Sequence, residues 1–201
     1  IHQFKIRDVW PHGVPSSYRK ILCLDYGYRA PFAALWLAID QDGDIWCYRE
    51  SYKDKLTTPQ QAELVVAQTG LNERIDVVRA DSAMWANTTS PLGPTNLTQI
   101  QAYEETLGAD DRFGRIEPGS KPDRATSLSV YDTLFDYNNG FPNLHIEESC
   151  TNFWQELTGA VWDTRGMLSG KKEDIDPRCP DHAITAGYYG MLAELDPYLP
   201  K

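Results

Sequence analysis

The stretch Ile21-Leu22-Cys23-Leu24-Asp25-Tyr26-Gly27 decides how the rest of the chain is read. Four consecutive apolar residues, bounded by Arg19-Lys20 on one side and an Asp-x-Gly turn on the other, have the length and composition of a strand buried on both faces. An aspartate directly after such a strand stands at the sheet edge, where sites form in α/β proteins. Downstream, Ala33 to Ile39 is a second apolar run and Ile45-Trp46-Cys47-Tyr48 a third. The polar Asp40-Gln41-Asp42-Gly43-Asp44 between them is too short for a crossover, and Gly43 offers the positive φ of a tight turn. The first three strands are therefore expected to pair antiparallel.

A punctuated helix follows, with Thr58 as N-cap, Pro59 at the first helical position, Gln61 closing a capping box, Ala62, Val65 and Val66 on one face, and Gly70 as the stop. Ile75 to Ala80 then reads as a strand that returns parallel beside the first and ends at Asp81, with the helix as its crossover. Beyond it, Leu97 to Leu107 and Ala125 to Tyr137 have helical spacing, Leu144-His145-Ile146 reads as a short strand and Thr151 to Leu157 as a helix. A last helix starts near Asp181 and runs towards Glu194, directly after the loop-rich segment from Met167 to Pro180. The expected fold is α/β: a mixed central sheet, antiparallel in its first three strands and parallel thereafter, flanked by helices.

A length of 201 residues suits one domain. No apolar run approaches the roughly 18 to 20 residues of a membrane-spanning helix, so no membrane partner is expected. The opening Ile1-His2-Gln3-Phe4-Lys5 lacks an initiator Met and a signal-peptide layout, and the chain is read as part of a longer polypeptide. Residues 1–18, which include Pro11, Gly13 and Pro15, are taken as a linker or domain-edge remnant, and residues 19–201 as the domain. Cys23, Cys47, Cys150 and Cys179 form no Cys-x-x-Cys pair and suit buried, reduced thiols. His182, three residues after Cys179, is too little for a zinc site. Trp36, Trp46, Trp85, Trp154 and Trp162 are expected in or beside the core.

Three aspartates occupy chemically telling places: Asp25 after the first strand, Asp81 after the strand expected beside it, and Asp181 at the start of the last helix. Carboxylates are ligands for hard Mg²⁺ or Mn²⁺, and the positive end of a helix dipole keeps Asp181 ionised. Two divalent ions can lower the pKa of an attacking water and stabilise a leaving phosphodiester oxygen, so no nucleophilic side chain is needed. Taken singly, Asp25 and Asp81 also read as turn acids and Asp181 as a helix cap; the constellation is what points to a cation site. Glu50, at a strand end, is a candidate accessory acid, and His182 a candidate neighbour to the metal ligands or a structural residue.

A net charge of −10, from 29 acidic and 19 basic residues, argues against a broad basic nucleic-acid surface. The basic residues nevertheless cluster in loops, at Lys53 and Lys55, at Arg112, Arg115, Lys121 and Arg124, and at Arg165, Lys171, Lys172 and Arg178. Lys171, Lys172, Lys121 and Arg124 are the candidate nucleic-acid contacts. Bound cations offset part of the acidic excess, and weak, salt-sensitive, sequence-tolerant binding is the expectation.

Five ordered landmarks between Arg19 and Tyr189 resemble the nuclease domain of bacteriophage large terminases. They are Leu24-Asp25-Tyr26-Gly27-Tyr28 with Pro31-Phe32-Ala33-Ala34, then Gly43 to Glu50, then Ala80-Asp81-Ser82-Ala83, then Leu144-His145-Ile146 with Cys150, Asn152 and Glu156-Leu157, and finally Asp181-His182-Ala183 with Ala186. The resemblance implies a ribonuclease H-like endonuclease that cuts concatemeric double-stranded DNA during genome packaging, with two divalent cations, Mg or Mn, held by Asp25, Asp81 and Asp181. It also implies an ATPase domain N-terminal to this chain, portal and small terminase subunits as partners, and the host cell cytoplasm as the place of action. One departure stands out: many relatives carry a second acid four residues into the last helix, where this chain has Thr185, and Glu173, Asp174 and Asp176 are the acids near enough in sequence to substitute.

No Gly-x-x-x-x-Gly-Lys-[Ser/Thr] phosphate loop occurs, so ATP hydrolysis by this chain is not expected. Sugar kinases and actin-like phosphotransferases share a strand followed by Asp-x-Gly, but they repeat the fold and carry a second Gly-rich loop that is missing here. A resolvase of the same superfamily, or a non-catalytic docking module of a packaging motor, are the other readings.

Overall fold

The computed structural model describes residues 2–86, 99–119, 124–135, 144–168 and 174–195. Seven strands among them form one mixed sheet: β1 (His2–Phe4), β2 (Arg19–Asp25), β3 (Phe32–Ile39), β4 (Ile45–Lys53), β5 (Ile75–Ala80), β6 (Phe113–Pro118) and β7 (Leu144–Glu147), in the order β1-β7-β4-β3-β2-β5-β6. The helices are α1 (Ile6–Val9), α2 (Thr58–Gln68), α3 (Gln99–Leu107), α4 (Arg124–Phe135), α5 (Thr151–Gly159), α6 (Thr164–Leu168) and α7 (His182–Leu195), with a 3-10 turn over Ser82–Trp85. As the sequence pattern requires, β2, β3 and β4 pair antiparallel, with Gly43 at φ +88°, and β5 returns parallel to β2.

Period-two alternation splits the core between the two faces of the sheet. Ile21, Cys23, Leu35, Leu37, Ile45 and Cys47 face α4, α5 and α7, whereas Leu22, Leu24, Trp36 and Val78 face α2 and α3. Each fully buried side chain of this size stabilises the fold by about 1.5–3 kcal/mol. Trp36 is buried with its indole N–H donating to Thr69 Oγ1 at 3.0 Å, so no polar atom is stranded.

Helix α7 is apolar almost all round, and the run Ala183 to Leu192 is buried, as a helix pressed into the centre of the sheet must be. Gly190 allows this approach: a Cβ there would collide with Cys23 Sγ in the middle of β2.

Some sequence expectations need correction. The capping box of α2 uses Thr57 and Gln60, one residue earlier than expected, because Gln61 points inward. Its Nε2 donates to Gly27 O (2.6 Å) and Leu56 O (2.9 Å), and its Oε1 accepts from Tyr103 OH (3.0 Å). The segment before Arg19 supplies the outermost strand, β1, parallel to β7, and buries Phe4 and Trp10 against the sheet. Trp162 is not in the core; it is 46% exposed. Strand β6 has no counterpart in the sequence reading.

Candidate active site

Strands β2 and β5 run parallel with Leu24 opposite Ala80, and the Asp81 N–H donates to Leu24 O at 3.2 Å. Asp25 and Asp81 are therefore the next residues along two neighbouring strands about 4.8 Å apart. Alternation decides their face: Cys23 and Val77 point to the α7 side, so Asp25 and Asp81 do too. Both are 8% exposed. Asp81 Oδ1 also accepts from Ala83 N at 2.9 Å and so starts the 3-10 turn.

Asp181 immediately precedes α7, and its carbonyl accepts from Thr185 N at 2.8 Å. The next residue, His182, places Nδ1 3.2 Å from Asp25 Oδ2. Burial holds the Asp25 carboxyl above the usual carboxylate range; His182 pulls it down, while the charges of Asp81 and Asp181 push it up again. The Asp25 carboxylate in turn raises the pKa of His182. The charges of Asp81 and Asp181 thus both bear on Asp25 at the edge of the sheet. Tyr189, two turns along α7, faces Asp81, and burial above all, with Tyr188, Asp25 and Asp81 nearby, pushes its phenol upward.

Two glutamates fix α7 over this edge. Glu50 of β4 accepts from Asn152 N (3.1 Å), Asn152 Nδ2 (2.6 Å) and Phe153 N (2.6 Å), capping the start of α5. Glu156 of α5 is 4% exposed, and its Oε2 accepts from Ala183 N (2.7 Å) and Ile184 N (3.1 Å) in the first turn of α7. Glu156 Oε1 accepts from Tyr52 OH of β4 at 2.7 Å. Each cap satisfies amides that a helix leaves open at its start, and together they tie the strand, α5 and the residues beside Asp181 into one rigid unit. Burial raises the Glu156 carboxyl above its ordinary range against the pull of these hydrogen bonds.

Glu50 therefore serves as a helix cap, and Glu156 emerges as the acid that sequence spacing alone does not single out. The other accessory acids are engaged elsewhere. Asp176 is held well below the usual carboxylate range by Arg178, whose guanidinium it accepts from at 2.5 and 2.9 Å, and Asp174 Oδ1 accepts from Ile175 N at 2.7 Å. Thr185 is buried one turn beyond Asp181. Lys121, Lys171, Lys172 and Glu173 lie outside the described residues, as does the side chain of Arg124.

The donor chemistry is of the type that suits a hard divalent cation, since carboxylate oxygens are hard donors and the charges of Asp81 and Asp181 bear on Asp25. Among the described residues, no three His, Cys, Asp or Glu side chains are gathered tightly enough to enclose an ion.

Solved structures similar to the chain include large terminases of bacteriophages. The large terminase of one thermophilic bacteriophage superposes with TM-score 0.68 at 15% identity over 96% of this chain, and this chain spans 41% of the length of that terminase. The P22 large terminase nuclease domain gives 0.65 at 19% identity, covering 96% of this chain and 87% of that domain. The chain has the fold of phage large terminase nuclease domains. The large terminase nuclease of thermophilic phage G20c, solved with bound cobalt, aligns with TM-score 0.55 at 13% identity, over 88% of this chain and 82% of that one. No family model and no curated protein matches the sequence. The mixed sheet expected from the sequence is present, with strands β2 to β4 antiparallel and β5 parallel to β2.

Proposed function

We propose that this chain is the metal-dependent endonuclease domain of a viral large terminase, cutting concatemeric double-stranded DNA with little sequence preference. The observation that carries the reading is the placement of Asp25 and Asp81 at the ends of adjacent parallel strands, on the face where Asp181 and His182 begin α7. The terminase-nuclease fold and the cobalt bound by the G20c nuclease support it.

Asp25, Asp81 and Asp181 would hold two divalent cations, Mg or Mn, by their carboxylate oxygens. Bound there, the cations supply a water of lowered pKa and charge stabilisation for the leaving oxygen. His182 orients the Asp25 carboxylate through its hydrogen bond, as partners of metal ligands commonly do. Glu156 holds the first turn of α7, and with it Asp181, at a fixed height over β2. Gln61, by binding Gly27 O, fixes the loop that leaves Asp25.

In the same reading the chain works beside an N-terminal ATPase domain, with portal and small terminase subunits as partners, in the host cell cytoplasm during viral assembly. No helix among the described residues is long and apolar enough to cross a membrane. The test is incubation of the purified chain with supercoiled plasmid and Mn²⁺ or Mg²⁺, beside Asp25→Asn and Asp181→Asn. Metal-dependent nicking and linearisation by the unsubstituted chain, lost in both variants, is expected. Equal cutting by all three would sink the assignment of the site.

A further inference from the structure

The edge of the sheet that carries the acids also carries a small basic and aromatic surface, formed by two loops. Asp25, Ala33 and Tyr52 lie in one row across β2, β3 and β4, and Lys53 is the next residue along β4, opposite Phe32. Two strand spacings and one residue step put Lys53 about 10 Å from Asp25, Cα to Cα, with alternation turning its side chain toward the other face of the sheet, where Phe32 lies. The Lys55 N–H donates to Tyr28 O at 3.0 Å, which joins the loop after Lys53 to the loop after Asp25. Lys55, at φ +59°, is the one non-glycine residue with positive φ among the described residues. Tyr28 is 59% exposed, and Arg29, Lys53 and Lys55 are exposed beside it.

Exposed cations without an ion pair also occur elsewhere among the described residues, at Arg7, Arg74 and Arg165; here two of them, Arg29 and Lys53, sit in adjoining segments beside the acids. In a chain of net charge −10, many exposed cations are neutralised within the fold, such as Arg19 by Glu194 and Arg178 by Asp176. Among the described residues, Arg29 and Lys53 carry no ion pair, and Lys55 meets only its neighbour Asp54, at 3.5 Å. Unneutralised cations flanking an acidic metal-type centre suit a ligand with anionic groups spaced along a line. Duplex DNA offers such a series, one phosphate per nucleotide on each strand. An exposed aromatic ring among such cations matches the mixed polar and stacking contacts of backbone binding.

We propose that Tyr28, Arg29, Lys53 and Lys55 form a contact surface for the sugar-phosphate backbone of double-stranded DNA on the flank of the Asp25 centre. The proposal rests on reading that centre as a nuclease site. It locates the DNA on the β2–β4 side of the acids, independently of the basic loop around Lys171 and Lys172.

Anisotropy of a fluorescein-labelled duplex of mixed sequence, titrated with the chain in EDTA across a NaCl series, tests it without cleavage. The Arg29→Gln/Lys53→Gln double variant should bind about tenfold more weakly at low salt, with a salt slope shallower by about two. Tyr28→Ala should weaken binding without changing the slope. Arg74→Gln, at the opposite end of the strands, should match the unsubstituted chain. Equal affinity and slope for the double variant, an equal loss in Arg74→Gln, no DNA binding by the unsubstituted chain, or stronger competition by an RNA duplex would each overturn the proposal. A retained effect of the double variant in a chain that never cuts plasmid would refute the nuclease reading and leave the binding surface standing.

Discussion

Glu156 Oε2 accepts the backbone N–H of Ala183 at 2.7 Å, so a buried acid on α5 holds the helix that presents Asp181 and His182. Removing it strands two amides and the Tyr52 hydroxyl in a buried setting. Glu156→Ala is expected to cost about 2–4 kcal/mol in urea unfolding, whereas Glu156→Gln, which keeps an acceptor toward α7, should cost less than half of that.

The same residue carries a pH signature. Its folded-state pKa is raised, chiefly by burial, so its contribution to stability is fully present below the unfolded value of about 4.5 and is lost as pH rises through the folded value. The stability advantage of the native chain over Glu156→Gln should therefore shrink between about pH 4.5 and neutrality, as read by unfolding curves at each pH. A gap that widens over this range would mean that the carboxylate is stabilised and not strained by its surroundings.

His182 touches Asp25 but is not itself a proposed ligand. His182→Ala should slow Mn²⁺-dependent plasmid nicking about 10- to 100-fold, the usual cost of losing a partner of a metal ligand. Asp25→Asn should abolish it. Indistinguishable rates for His182→Ala and the native chain would make the contact with Asp25 incidental.

Gly190 permits α7 to lie on β2, while Gly159, at the end of α5, has open space where a Cβ would go. Gly190→Ala should destabilise the fold by about 1–3 kcal/mol, because the new methyl meets Cys23 in the strand that carries Asp25. Gly159→Ala should be neutral or stabilise by up to about 1 kcal/mol. Denaturant midpoints measured side by side separate the two.

Much of this arrangement is visible in the amino-acid pattern, for physical reasons particular to each part. The apolar runs at Ile21, Ala33 and Ile45 are strands buried on both faces, and the short turn at Gly43 leaves one way to join two of them. Asp25, Asp81 and Asp181 are legible because each follows a strand or precedes a helix. Strand β6 is not, since it is half-buried at the sheet edge and contains Gly114 and Pro118. The capping box of α2 slips by one residue because Thr57-Gln60 and Thr58-Gln61 are equally good in sequence, and only Tyr103 and Gly27, distant in the chain, draw Gln61 inward. Glu156 is named in the sequence as part of a landmark, but its role is hidden for the same reason: a lone glutamate in a helix reads as solvated until α7 is packed on it. Glu50 shows the converse, an acid at a strand end that caps α5.

The carboxylates at residues 25, 81 and 181 are proposed to hold divalent cations together, and Mn²⁺ binding followed by electron paramagnetic resonance measures this directly. The free-ion signal should fall on adding the native chain and should be largely restored with Asp25→Asn and with Asp81→Asn. Equal Mn²⁺ uptake by the native chain and both variants would contradict the account.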